Sequence, residues 1–254
     1  MKLTLINLYP GEMIAHYLLS SYVLKAYANK SFESNEDISI QVLNFKAETE
    51  TLEVCEKILE QNPDCVGYSC YIWNIEKVLD IVKALKNNSN CTHIFGGPEI
   101  SLHTLKRIQD STQTDYFVIG EGERKLVKLL TYLKNKNTDI ETEVPSGTAY
   151  RSKSKVCYKE DADTITNLDG IPSIYLSETI DDSLYARQQA FLETQRGCIY
   201  KCKYCVYHKN LSKICYYSLQ RVLEELDYLI IKKQIFALRI FDAVFTSDLK
   251  RAKK

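Results

Sequence analysis

The chain has 254 residues, 45% of them apolar, enough for one large domain or two ordinary ones. Lys+Arg and Asp+Glu number 33 each, a balance that removes the electrostatic basis for nucleic acid or an anionic membrane as main partner. No apolar run is long enough to span a bilayer, and Met1 to Leu8 stops at Tyr9-Pro10-Gly11 with no cleavage site, so it reads as a first strand and not a signal peptide.

From there the first 135 or so residues alternate strand and helix. Strands are predicted at Lys2 to Leu8, Ile38 to Phe45, Cys65 to Cys70, His93 to Phe95 and Tyr116 to Ile119. Helical periodicity fills the gaps: Ile75, Val78, Leu79, Val82 and Leu85 share one face, as do Leu126, Leu129, Leu130 and Leu133. Met13 to Lys30 and Thr51 to Gln61 are compatible with two more helices. This alternation predicts an α/β domain with a parallel, Rossmann-like sheet and right-handed crossovers. In such sheets ligands bind outside the carboxyl ends of the strands. The turns there are Ser69-Cys70-Tyr71, Gly96-Gly97-Pro98 and Gly120-Glu121-Gly122. Taken alone, these turns read equally as ligand loops or as ordinary strand-to-helix connections.

Beyond residue 140 the pattern changes. Gly147 to Tyr150 and Lys155 to Tyr158 flank Arg151-Ser152-Lys153-Ser154 as a hairpin, and the polar stretch Asp161 to Ala190 reads as a linker. The expected organisation is therefore residues 1–140, a hairpin and linker over 141–189, and a second domain over 190–254. Ala190 to Thr194 begins a strand. A helix follows, capped by Ser218, with Leu219, Val222, Leu223, Leu226, Leu229 and Ile230 as its stripe. Phe236 to Phe241 is the next strand, ending at Asp242, and Thr246 or Ser247 is placed to cap one more helix.

Nine cysteines, an odd number without an export signal, argue for reduced thiols in a cytosol and against a disulfide framework. Cys55, Cys65, Cys70 and Cys91 sit singly in apolar segments and read as core residues. Cys198, Cys202 and Cys205 differ. Three thiolates at C-x3-C-x2-C spacing converge only if the chain wraps around a common point, and soft thiolates select iron–sulfur clusters, zinc or copper(I). His208 follows Cys205 after two residues, which leaves a Cys3His zinc site as the rival reading.

The run Glu193-Thr194-Gln195-Arg196-Gly197-Cys198, with Cys202, Tyr204 and Cys205, resembles the signature of the radical S-adenosylmethionine superfamily. Val66-Gly67-Tyr68-Ser69-Cys70, Gly96-Gly97-Pro98-Glu99 and Gly120-Glu121-Gly122-Glu123 resemble the cobalamin-binding domain that precedes many of these enzymes. Together the two likenesses cover nearly the whole chain. The resemblance implies a 4Fe-4S cluster on Cys198, Cys202 and Cys205, with S-adenosylmethionine on the open iron. Reductive cleavage would then start radical chemistry, with methyl transfer among the outcomes, on a substrate the sequence does not name. It implies adenine contact by Tyr204, and cobalamin against Ser69, Gly96, Gly97, Gly120, Glu121 and Gly122. An electron donor such as flavodoxin or ferredoxin and a cytoplasmic location follow from the same likeness.

Two departures qualify it. Where the family's cobalt-ligating histidine motif begins, this chain has Leu8-Tyr9-Pro10-Gly11-Glu12, so cobalamin is expected without a protein histidine ligand; His16 reads as a surface or packing residue. The residues after Ala190 suffice for two βα units at about 30 residues each, against the family's six. The expected second domain is thus the first two units of a partial TIM barrel, truncated, with a partner chain as one way to complete it. An inactive remnant or non-catalytic binding module is the alternative. Asp242 stands where the family binds the amine of S-adenosylmethionine, or serves as a helix-cap carboxylate.

Overall fold

The computed structural model describes residues 1–11, 19–32, 38–108, 114–136, 143–152, 155–161, 164–177, 179–185, 188–205, 207 and 213–254. His16 and His208 lie outside them. The chain divides into two compact units, Met1–Ala162 and Asp163–Lys254.

The first unit runs β1 (Lys2–Tyr9), α1 (Leu19–Ser31), β2 (Ser39–Lys46), α2 (Thr51–Glu60), β3 (Cys65–Ser69), α3 (Ile75–Lys86), β4 (Thr92–Gly96), α4 (Leu102–Ile108), β5 (Tyr116–Val118), α5 (Glu123–Asn135), β6 (Thr148–Ser152) and β7 (Lys155–Tyr158). The strands form one sheet in the order β2-β1-β3-β4-β5-β6-β7. The first five are parallel, and the β6–β7 hairpin adds to β5 antiparallel. All five predicted parallel strands are present. The hairpin foreseen within 141–189 extends their sheet, because Phe117 faces Ala149 and Val118 faces Thr148.

Alternation along the strands builds two cores, since successive side chains leave opposite faces. Ile6, Leu8, Val66, Tyr68, Phe95 and Phe117 pack against Val54 and Ile58 of α2 and Val78, Ile81, Val82 and Leu85 of α3. Leu3, Leu5, Cys65, Ile94, Tyr116 and Val118 pack against Ala28 of α1 and Leu126, Leu129 and Leu130 of α5. Full burial of a Leu or Ile side chain is worth about 1.5–3 kcal/mol, so these two layers dominate the unit's stability. Cys55, Cys65, Cys70 and Cys91 are buried here, as the sequence predicts; burial pushes the Cys65 thiol up to about 12 and raises Cys70 as well.

The second unit holds β8 (Gln189–Leu192), β9 (Gln195–Arg196), β10 (Cys215–Tyr216), α6 (Leu219–Asp227), β11 (Ala237–Ile240) and α7 (Leu249–Ala252). β8 and β11 pair in parallel, joined through α6 and the wider turn Tyr228–Lys232, while β9 and β10 pair antiparallel. Phe191, Leu192, Val222, Leu229 and Ile235 are buried. So are Ile165, Leu168, Ile171, Ile174 and Tyr175, from the stretch read as a linker, and the Tyr175 hydroxyl donates to the Phe191 carbonyl. Leu223 and Ile230, included in the predicted stripe, are exposed. The Ser218 hydroxyl caps α6 by accepting from Arg221 N, as expected. Asp248, not Thr246 or Ser247, caps α7, accepting from Lys250 N and Arg251 N at 3.0 Å.

Candidate functional site

The parallel sheet order 2-1-3-4-5 reverses direction between β1 and β3, and such a switch point opens a crevice at the carboxyl edge. The register brings Ser69 beside Gly96 at that edge. Ser69 Oγ lies 3.0 Å from Ser20 Oγ of α1. The Gly96 carbonyl accepts from Cys70 N at 2.7 Å. Gly97 has φ +101°, and a Cβ there would stand 2.6 Å from the Cys70 carbonyl oxygen, so only glycine fits the turn. Gly11, after β1, has φ +54° with open space around it, and its amide holds the Glu48 carboxyl below the usual carboxylate range.

Asn74 ties the switch point together. Its side-chain amide donates to the Leu8 carbonyl of β1 at 3.1 Å and to the Ser69 carbonyl of β3 at 3.0 Å, and its oxygen accepts from Tyr71 N. Between them, Ile72 and Trp73 are exposed, with the Trp73 ring stacked on Tyr71 at 4.4 Å. Beyond β5, Gly120 has φ +79°, Glu121 is half-buried, and the Gly122 carbonyl accepts from Leu126 N at 2.7 Å. The turn rests on buried Lys125, whose ammonium donates to the Ile119 carbonyl at 2.6 Å. Its stem fills the space a side chain at Gly147 would need, 2.5 Å from that Cβ position, and burial lowers its pKa.

Of the two described histidines in this unit, His93 is sealed in the core between Tyr68 Oη (3.0 Å) and Cys91 Sγ (3.7 Å). His103 lies exposed on α4.

In the second unit, β9 and β10 are the feet of the cysteine loop. Gly197 has φ +100°, and a Cβ there would meet the Lys213 carbonyl at 2.4 Å, so the two arms of the loop touch backbone to backbone just above the feet. Cys198, Cys202 and Cys205 are all partly exposed, and none is in a disulfide. Cys198 Sγ accepts from Tyr200 N, and Cys205 N donates to the Cys202 carbonyl. Tyr204 is 89% exposed, and its hydrogen bond to the Cys202 side chain raises the phenol pKa. Among the described residues no three His, Cys, Asp or Glu side chains are gathered closely enough to hold a metal, so the loop carries the three thiols without converging them. The donor set itself fits a cluster: three thiols on one irregular loop with fixed feet.

Comparison with known proteins bears on both units. A family model described as B12 binding domain matches residues 21–130. The chain is 27% identical over 184 residues to the cobalamin-dependent radical SAM methyltransferase TokK of Streptomyces tokunonensis, 69% of this chain and 26% of that protein. It is 27% identical over 222 residues to an uncharacterized methyltransferase of Pyrococcus horikoshii, 85% of this chain and 48% of that one. Its fold matches the solved radical S-adenosylmethionine methyltransferase TsrM of Kitasatospora setae over 99% of this chain and 49% of that one (TM-score 0.69, 16% identity). The cobalamin-dependent S-adenosylmethionine radical enzyme OxsB matches over 96% and 34% (TM-score 0.70, 20% identity). Residues 21–130 are thus similar to B12-binding domains, and the relatives found for the chain are described as cobalamin-dependent radical S-adenosylmethionine methyltransferases or as methyltransferases.

The chain spans between a quarter and a half of the length of these relatives. The B12-binding match takes in Ser69, Gly96, Gly97, Gly120, Glu121 and Gly122, which the structure brings to one edge, while the cysteine loop lies outside it. Asn74 and Lys125 escaped the sequence reading. Asn74 carried a signal, as the end of the run Ser69-Cys70-Tyr71-Ile72-Trp73-Asn74; Lys125 carried none, being one lysine in a charged helix start. Asp242, expected at the amine of S-adenosylmethionine or at a helix cap, accepts from Thr194 N, Thr194 Oγ1 and Gln195 N.

Proposed function

We propose that this chain binds cobalamin at the carboxyl edge of its parallel sheet and a 4Fe-4S cluster on Cys198, Cys202 and Cys205, and that it acts in radical S-adenosylmethionine chemistry, with methyl transfer as the reaction class. The observation that carries the proposal is the union, in one chain, of a 2-1-3-4-5 sheet with glycine turns at its switch edge and a three-thiol loop after a parallel strand. When bound, the cluster would supply one electron to S-adenosylmethionine, and cobalamin a methyl carrier.

The residues' own parts follow from their places. Gly97 and Gly120 take the positive-φ conformations that turn the chain sharply at this edge, and exposed Ile72 and Trp73 offer a large flat ligand apolar surface there. Ser69 and Glu121 supply polar groups at the same edge. Both His93 ring nitrogens face Tyr68 and Cys91, so this histidine is not offered to cobalt, and cobalamin without a protein imidazole remains part of the proposal. Tyr204, exposed beside Cys202, is placed to stack on the adenine of S-adenosylmethionine. A flavodoxin- or ferredoxin-type electron donor and a cytoplasmic location belong to the same proposal, which the free cysteines support; among the described residues no helix is long and apolar enough to cross a membrane.

Anaerobic reconstitution tests the reading. The chain should gain iron and a broad visible absorbance, both lost when Cys198, Cys202 and Cys205 are all changed to Ala. Unchanged iron in that triple variant would reject the site, and stoichiometric zinc without iron would move the assignment to a zinc protein. Cobalamin added to the apo chain should give a saturable shift in its absorption bands. Conversion of S-adenosylmethionine to 5′-deoxyadenosine under dithionite separates an enzyme from a non-catalytic binding module.

A further inference from the structure

We propose that Asp242 is a positioning residue for the cysteine loop and not a ligand for the amine of S-adenosylmethionine. The inference rests on the reading that Cys198, Cys202 and Cys205 hold the cluster. Asp242 follows β11, and its carboxylate reaches back 47 and 48 residues to the junction between β8 and β9. Oδ1 accepts from Thr194 N at 2.7 Å and from Gln195 N at 3.2 Å, and Oδ2 accepts from Thr194 Oγ1 at 2.5 Å. A carboxylate offers about four lone-pair sites, so three of them are already committed. Thr194 and Gln195 are buried, which makes these charge-assisted bonds costly to lose.

A second layer fixes the same junction. The Gln195 side-chain amide donates to the Val244 carbonyl at 2.8 Å and accepts from Ser247 Oγ at 2.8 Å. Gln195 and Arg196 are also β9, paired with Tyr216 and Cys215 of β10. The carboxylate therefore sets the strand end from which Arg196, Gly197 and Cys198 depart, and through the β9–β10 pair it sets the returning foot. Holding both feet of a loop lowers the entropy lost when three thiolates converge on one point. An Asp242 side chain turned outward to meet an ammonium would leave two buried amides and a hydroxyl without their acceptor.

The test uses the full chain reconstituted anaerobically, with Asp242→Ala, Asp242→Asn and Thr194→Val as variants and the triple cysteine-to-Ala chain as control. Iron and sulfide per chain are measured, together with the electron paramagnetic resonance of the dithionite-reduced sample with and without S-adenosylmethionine. Far-UV circular dichroism and the apo thermal midpoint report folding. Asp242→Ala is expected to lower iron incorporation at least threefold and to give a heterogeneous resonance from what remains. Asp242→Asn and Thr194→Val are expected to lie between it and the starting chain, with circular dichroism preserved. Full iron and an unchanged resonance in these variants would overturn the inference. So would full iron with loss of only the S-adenosylmethionine-induced spectral change, the signature of an amine ligand. If Asp242→Ala does not fold, Asp242→Asn and Thr194→Val decide by the same criteria. A starting chain that takes up no more iron than the triple variant refutes the cluster reading itself, and this inference with it.

Discussion

A single methyl group at residue 97 would stand 2.6 Å from one backbone oxygen and 2.9 Å from a backbone nitrogen, both of Cys70, at a φ of +101°. Neither atom is the end of a flexible side chain, so the backbone itself must move. Gly97→Ala is therefore expected to cost about 3 kcal/mol, combining the φ penalty with overpacking. Gly11→Ala, at φ +54° in open space, is expected to cost only about 1 kcal/mol. Urea midpoints of the two variants check the contrast. His93 gives a second residue-scale prediction. Burial, aided by the Lys86 charge, lowers its pKa from 6.5 to about 4 in the folded chain. Between those values the unfolded chain binds the extra proton, so stability is fully present above about pH 6.5 and falls as pH drops toward 4. By pH 5 the loss from this one group is about 2 kcal/mol. Urea melts at pH 7 and pH 5 should show it, and His93→Phe should flatten the difference.

Between elements, the decisive contacts join residues far apart in sequence. Asn74 links the ends of β1 and β3 across 66 and 5 residues, respectively. Asn74→Ala leaves the Leu8 and Ser69 carbonyls and the Tyr71 amide short of a partner in a largely buried place, an expected cost of about 2–3 kcal/mol. The same variant should weaken cobalamin binding in a spectral titration, because the crevice between β1 and β3 loses its tie. This separation explains what was legible in the sequence. The parallel strands were readable because each is a short apolar run bounded by turn residues, and α3 and α5 because their apolar spacing is regular. The glycine turns and the cysteine loop carried local motifs. The joining of the hairpin to β5 was not readable, since it depends on Tyr116 facing Tyr150 across the sheet. Nor was the packing of residues 164–177, where Ile165, Leu168, Ile171 and Ile174 recur every third residue but Gly170 and Pro172 interrupt any continuous helix. The polar set Ser21, Asn7, Asn44 and Tyr22, which seats α1 on β1 and β2, was hidden for the same reason. Asn7 and Asn44 meet only because the parallel register pairs them.

At the scale of the molecule, the first unit has what independent folding requires. Residues 1–162 contain a seven-stranded sheet with a closed hydrophobic layer on each face, one against α2 and α3 and one against α1 and α5. A unit of this size is within the usual range for a domain that folds alone. It also contains every residue proposed to meet cobalamin, from Ser69 to Gly122. A chain ending at residue 162 is therefore expected to give a single cooperative urea transition and to shift the absorption of added cobalamin in a saturable way. It should take up no iron on anaerobic reconstitution, since Cys198, Cys202 and Cys205 belong to the other unit. If the fragment folds but leaves the cobalamin spectrum unchanged while the full chain alters it, the corrin contacts needed for binding reside beyond residue 162. If it does not fold, the two hydrophobic layers are insufficient by themselves. A fragment that folds and binds would assign cobalamin to the sheet edge without help from the cysteine loop.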